Sequence, residues 1–130
     1  MPMNAETALK ADRLWRNASA LEDDGKIVEA IRLYRVAAKL GDSSSQNNLG
    51  NLLDDSVKSA RKKEAVYWYK RAVASGSPSS AWNLAMHYRN LGKPRWQMHW
   101  LRVAAKLGEP DAPKAIRVLT RQLERPRAPR

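Results

Sequence analysis

The heptapeptide Arg-Val-Ala-Ala-Lys-Leu-Gly occurs twice without change, from Arg35 to Gly41 and from Arg102 to Gly108. A looser copy, Lys70-Arg71-Ala72-Val73-Ala74-Ser75-Gly76, stands between them. Each copy follows apolar residues at helical spacing: Ile31, Tyr34 and Ala38, then Val66, Tyr69 and Val73, then Met98, Leu101 and Ala105. Each ends in glycine, which takes the left-handed turn that stops a helix without a Cβ penalty. These glycines lie 35 and 32 residues apart. A period in the thirties in a helical chain is the mark of stacked helix pairs. No segment alternates at strand period over enough residues to argue for a sheet.

The punctuation supports seven helices. Asn4 is placed to cap a first helix through Leu9, Ala11, Leu14, Trp15, Ala18 and Leu21, which the turn Glu22-Asp23-Asp24-Gly25 breaks. A second is expected from about Lys26 to Leu40, and Asp42 is placed to cap a third carrying Leu49, Gly50, Leu52 and Leu53. The fourth is expected to begin between Ala60 and Glu64. Arg61, Lys62 and Lys63 at a helix start oppose its dipole, so a later start, or a partner for the cluster, is expected. Ser77-Pro78 opens a fifth helix, with Ser as cap and Pro in the first turn. Pro94 opens a sixth, and Gly108-Glu109-Pro110-Asp111 restarts the chain into a seventh with Ile116, Val118 and Leu119. The expected architecture is an all-α, right-handed α-α superhelix. Its repeats run over about 8–41, 43–76 and 78–108, with a capping helix over 111–124, all in one domain, 1–124. Residues 125–130, alternating Arg with Pro and Ala, are expected to form a basic disordered tail.

Small residues recur where the two helices of a pair must cross closely: Ala18, Gly50 and Ala85 on the first helices, and Ala37, Ala72 and Ala104 on the second. Phe is absent, so Tyr34, Trp68, Tyr69 and Trp100 are expected to fill the space between pairs. Each large side chain so buried contributes about 1.5–3 kcal/mol, and stability should accumulate pair by pair.

Several motifs resemble Sel-one-like repeats, relatives of the tetratricopeptide repeat. They are Asn48-Leu49-Gly50, Asn83-Leu84-Ala85, and Glu64-Ala65 followed by Trp68-Tyr69-Lys70-Arg71-Ala72, with Gly41 or Gly76 closing the unit. The first unit, with Ala18, Leu21, Gly25, Glu29-Ala30, Tyr34 and Ala37, is more similar to a plain tetratricopeptide repeat. The resemblance covers about residues 8–123. It departs from the pattern at Asp55-Ser56-Val57, where a Gly-x-Gly-Val turn is usual, and at Gln97-Met98, where a small residue is usual. It implies a groove lined by the first helix of each pair, able to hold an extended peptide, with Asn48 and Asn83 matching the family's peptide-clasping Asn.

Chemistry beyond binding is poorly supplied. There is no Cys, so neither a disulfide nor a thiolate metal site can form. His87 and His99 lie on different helices with no carboxylate at ligand spacing, and are expected on helix surfaces. Ser43, Ser44, Ser45, Ser77, Ser79 and Ser80 fall at helix starts, where Ser caps. No phosphate-binding loop, nucleophile elbow or carboxylate pair is present. No enzyme activity and no cofactor are therefore expected. The N-terminus shows no basic-then-apolar signal pattern and no apolar run could span a bilayer, so the expected location is cytoplasmic.

What remains is surface. Aligning the units places Trp15, Asn47, Trp82 and Lys114 at one lining position. Arg16, Asn48, Asn83 and Ala115 occupy the next, and Ser19, Asn51, Met86 and Val118 follow a turn later. The expected partner-binding residues are Trp15, Asn48, Asn51, Trp82, Asn83, Met86, Arg89, Lys114 and Arg121. An Asn amide can both donate to and accept from a peptide backbone. Arg35, Lys70 and Arg102 form a basic ladder on the second helices, expected as a solvated outer face. The net charge of +11 is uneven: residues 1–65 carry 11 Lys/Arg against 10 Asp/Glu, and residues 66–130 carry 13 against 3. The lining helices end in Glu22-Asp23, Asp54-Asp55, Arg89-Asn90 and Arg121-Gln122, so the lining should turn from acidic to basic. The expected function is a protein-interaction module gripping a peptide or protein segment with an acidic stretch. The alternative is association with nucleic acid through the basic C-terminal half, which charge permits but no reader motif supports.

Overall fold

The computed structural model describes residues 3–125, and among them there are seven helices and no strand. The helices are α1 (Ala5–Asp23), α2 (Ile27–Lys39), α3 (Ser43–Asp54), α4 (Ser59–Ala74), α5 (Pro78–Asn90), α6 (Pro94–Leu107) and α7 (Ala112–Glu124). They group into two compact units divided between Ser77 and Pro78. The tail expected over 125–130 lies, from residue 126 on, outside the described residues.

The repeated heptapeptides end their helices in the same way. Gly41 and Gly108 both have φ 101°. In each case the next residue's N–H reaches back to a carbonyl near the helix end, Asp42 to Ala37 at 3.2 Å and Glu109 to Ala104 at 2.9 Å. This satisfies carbonyls that the helix end would otherwise leave without partners. At the other ends, Asn4 Oδ1 accepts from Thr7 N at 2.8 Å, and Asp42 Oδ2 accepts from Ser45 N at 2.9 Å and from the Ser45 hydroxyl.

In the N-terminal unit each helix packs on the next. Ala11, Ala18, Ala30, Ala37, Ala38, Ala65 and Ala72 have no exposed surface, so helix backbones approach closely. Gly50 marks a close crossing of α3 and α4, where a Cβ would sit 2.6 Å from the Tyr69 ring. Tyr34 and Tyr69 are buried, and their hydroxyls reach out to polar partners. Tyr34 Oη donates to Glu22 Oε1 at 2.8 Å and accepts from Asn48 Nδ2 at 3.2 Å, which ties α1, α2 and α3 together. Tyr69 Oη donates to Asn51 Oδ1 at 2.7 Å. Buried Gln46 donates to Ala38 O at 3.1 Å and fastens the start of α3 to the end of α2.

In the C-terminal unit, α5, α6 and α7 close on Ala85, Met98, Leu101 and Leu119, with Trp82, Met86, Trp100, Ala115 and Ile116 against them. Met98, the departure from the small-residue pattern, is one of these core side chains.

Two expectations need correction. His87 is buried rather than on a helix surface. It follows Leu84 by three residues and Ser80 by seven, which is the inward face of α5, and its ring meets Tyr88 edge-on at 5.0 Å. The fourth helix does not start late. It starts at Ser59, and Arg61, Lys62 and Lys63 lie in its first turns. Lys62 offsets part of the dipole cost by donating to Asp54 O at 2.7 Å, at the C-terminal end of α3, where a cation is favoured.

Candidate functional site

The C-terminal unit contains a cleft of about 370 Å³ between α5 and α7, with α6 contributing Gln97. Trp82, Met86 and Arg89 come from one face of α5, at spacings of four and three residues. Lys114, Ala115, Val118, Leu119 and Gln122 come from α7, and Asp111 precedes it. The floor is apolar because Trp82, Met86 and Ala115 also pack on the unit's core. The rim is polar, with Arg89 and Lys114 as cations and Asp111 as the one carboxylate among the lining residues. An apolar floor with a few polar groups at the rim suits a side chain of a ligand segment, with the rim fixing its direction.

Four of the nine residues expected to bind a partner, Trp82, Met86, Arg89 and Lys114, are therefore together in one cleft. Arg121 is exposed on α7, and its neighbour Gln122 lines the cleft instead. Asn83 is half-buried on α5 and is not among the lining residues. Trp82 both packs on the core and borders the cleft.

The remaining three lie in the N-terminal unit. Trp15 is half-buried, and its indole N–H is buried with no acceptor among the described residues. Asn48 and Asn51 are each bonded to a tyrosine of a second helix, Tyr34 and Tyr69. Those bonds hold both amides in set orientations. Burial pushes the Tyr34 hydroxyl up from its ordinary value, and the bond to Glu22 adds to this, so the hydroxyl remains a protonated donor in the network.

Gln97 and Asp111 lie outside the expected lining. Counting positions along the first helices alone leaves out α6 and the turn before α7, and an unexceptional Gln or Asp carries no signal of its own. The basic ladder divides. Lys70 and Arg102 are exposed, whereas Arg35 holds Glu64 through Nη2 at 3.0 Å to each oxygen. Among the described residues no group of three or more His, Cys, Asp or Glu could hold a metal ion, and no helix is long and apolar enough to cross a membrane.

The sequence matches no family model and no curated protein. The structure does resemble solved ones. The Yersinia enterocolitica type III secretion chaperone SycD, in complex with a peptide of the translocator YopD, is 16% identical with a TM-score of 0.71, over 87% of this chain and 94% of that one. PcrH, in complex with the chaperone binding region of PopD, is 16% identical with a TM-score of 0.73, over 95% of this chain and 100% of that one. A Sel1 repeat protein from Oxalobacter formigenes is 24% identical with a TM-score of 0.61, over 87% and 96%. With its helix pairs, glycine stops and small-residue crossings, the chain has the all-α fold of the tetratricopeptide-like and Sel1-like helical repeats.

Proposed function

We propose that this chain is a non-catalytic module that binds a peptide or protein segment on the faces of its first helices. The observation that carries the reading is the cleft between α5 and α7, where Trp82 and Met86 form an apolar floor beside Arg89 and Lys114. Aromatic and Arg side chains dominate binding energy where they meet a partner. In the N-terminal unit Trp15 aligns with Trp82 and Asn51 with Met86, while Asn48 aligns with Asn83, and the tyrosine bonds set the orientation of the Asn48 and Asn51 amides. Structural neighbours solved with a peptide of YopD and with a region of PopD support a segment as ligand. Arg89, Lys114 and Arg121 favour a partner with an acidic stretch over this unit, tempered by Asp111.

The test starts from a partner captured on the immobilised full chain and reduced to its shortest binding segment. Replacing Trp82 and Met86 by Ala should weaken that segment by about tenfold or more while leaving the helical spectrum intact. Reversing Arg89 and Arg121 to Glu should slow association markedly at low salt and much less at high salt. Unchanged affinity in the first variant would show that the segment binds elsewhere, and unchanged rates in the second would remove the acidic stretch from the reading.

A further inference from the structure

The N-terminal unit has a second cleft, of about 400 Å³, between α2 and α4, with α3 contributing Leu53. Its floor is Ile31 and Leu53, and its wall is Val28 and Val36, which are 80% and 41% exposed. Val28, Arg32 and Val36 follow one another at intervals of four on α2, which sets them in a single stripe. Two branched aliphatic side chains left in water add little to the core. A concave site with an apolar floor and charged groups at its rim suits a ligand's apolar side chain, with the charges setting its orientation.

The rim is basic. Arg32, Arg35, Lys39 and Arg61 line the cleft together with a single carboxylate, Glu64. That carboxylate is already engaged, by both nitrogens of the Arg35 fork and by Trp68 Nε1 at 3.0 Å. Arg61 moreover sits in the first turn of α4, where a cation opposes the helix dipole. Lys62 beside it is answered by Asp54, and Arg61 points the need for negative charge at this cleft.

We infer that this outer cleft docks a short amphipathic helix of a partner protein, one with aliphatic side chains a turn apart flanked by Asp or Glu. The aliphatic stripe of α2 sets the spacing, and the cation rim sets the charge. The chain's own C-terminal residues, Arg125 to Arg130, carry the wrong sign to be the occupant. The site is separate from the cleft between α5 and α7, so the chain has two docking surfaces, and either can fail without the other.

A labelled sixteen-residue helical peptide of Leu and Glu, with Leu one turn apart, serves as probe against the full chain, and its Lys-for-Glu counterpart serves as control. The Glu peptide should bind saturably and shift the Trp68 indole N–H resonance, which reports on Glu64, and the Lys peptide should bind at least about tenfold more weakly. The double variant Val28→Ser, Arg61→Glu, at exposed positions, should weaken the Glu peptide by about tenfold or more. A charge-matched variant elsewhere, Leu91→Ser with Arg102→Glu, should change binding by less than about twofold. Full affinity in the Val28/Arg61 variant, an unmoved Trp68 resonance at saturation, or an equal loss in the Leu91/Arg102 variant would each overturn the inference. The last would show attraction by net charge alone.

Discussion

Replacing Gly50 by Ala should destabilise the protein, although Ala is the better helix former by about 0.8–1 kcal/mol. A Cβ on Gly50 would lie 2.6 Å from Tyr69 Cε1 and 2.7 Å from Cδ1. Relaxed carbon pairs sit at about 3.5–4.0 Å, so the ring would have to retreat by about 1 Å. It has little room, because Tyr69 is 2% exposed and its hydroxyl is held by Asn51 at 2.7 Å. Overpacking of this kind costs about 1–3 kcal/mol, and straining the hydroxyl's bond adds up to about 0.5–1.5 kcal/mol. After the helix gain is subtracted, the net loss is about 1–3 kcal/mol. Urea unfolding followed by far-UV circular dichroism measures it. In a Tyr69→Ala background the obstruction is gone, and the same Gly50→Ala change should be neutral or stabilising. Gly50→Ala at or above wild-type stability, or an equal loss in both backgrounds, would refute the close crossing.

Three further outcomes follow from the same structure. Burial, with Asp54 and Asp55 nearby, pushes the Tyr69 hydroxyl up. As pH rises, the unfolded chain therefore loses that proton first, and the stability attached to it is whole below about pH 10 and falls above it. Tyr69→Phe should cost about 0.5–1.5 kcal/mol at neutral pH and converge on wild type in alkali; urea midpoints that stay parallel would contradict this. Asp42→Ala, which removes the acceptor for both Ser45 N–H and hydroxyl, should cost about 1–2 kcal/mol in the same assay. The Arg35–Glu64 pair is about one-third exposed on both sides, so a double-mutant cycle should return only about 0.2–1 kcal/mol; more than about 2 kcal/mol would mean that the pair is far better shielded than its geometry indicates.

The fold was largely legible because its determinants are local and repeated. Two identical heptapeptides give the same left-handed glycine turn with the same back-reaching N–H bond, and Asn4 and Asp42 cap from positions visible in the sequence. Ala18, Gly50 and Ala85 declared the close crossings by their size alone. What escaped depends on which side chains meet across helices. Glu64 could be aligned with a repeat motif, but nothing in that motif says that it gathers Arg35 from α2 and Trp68 from its own helix. His87 was judged by its polarity, and the inward face of α5 outweighed it. The early start of α4 depended on a carbonyl of α3 reached by Lys62. Much of the lining of the α5–α7 cleft is legible in the sequence, because both helices present their residues at helical spacing. Gln97 and Asp111 join the cleft through tertiary packing that no spacing rule encodes.

On the proposed function, a partner segment seats in the cleft between α5 and α7. The chain has five Trp residues, so its indole N–H resonances form a short, separable set in a nitrogen-15 correlation spectrum, with Trp82 assigned through Trp82→Phe. Titrating the partner's shortest binding segment into the labelled full chain tests the claim most directly. A segment seated there should shift the Trp82 resonance saturably, with the same dissociation constant as the segment's overall binding. Saturated binding with the Trp82 resonance unmoved would contradict it.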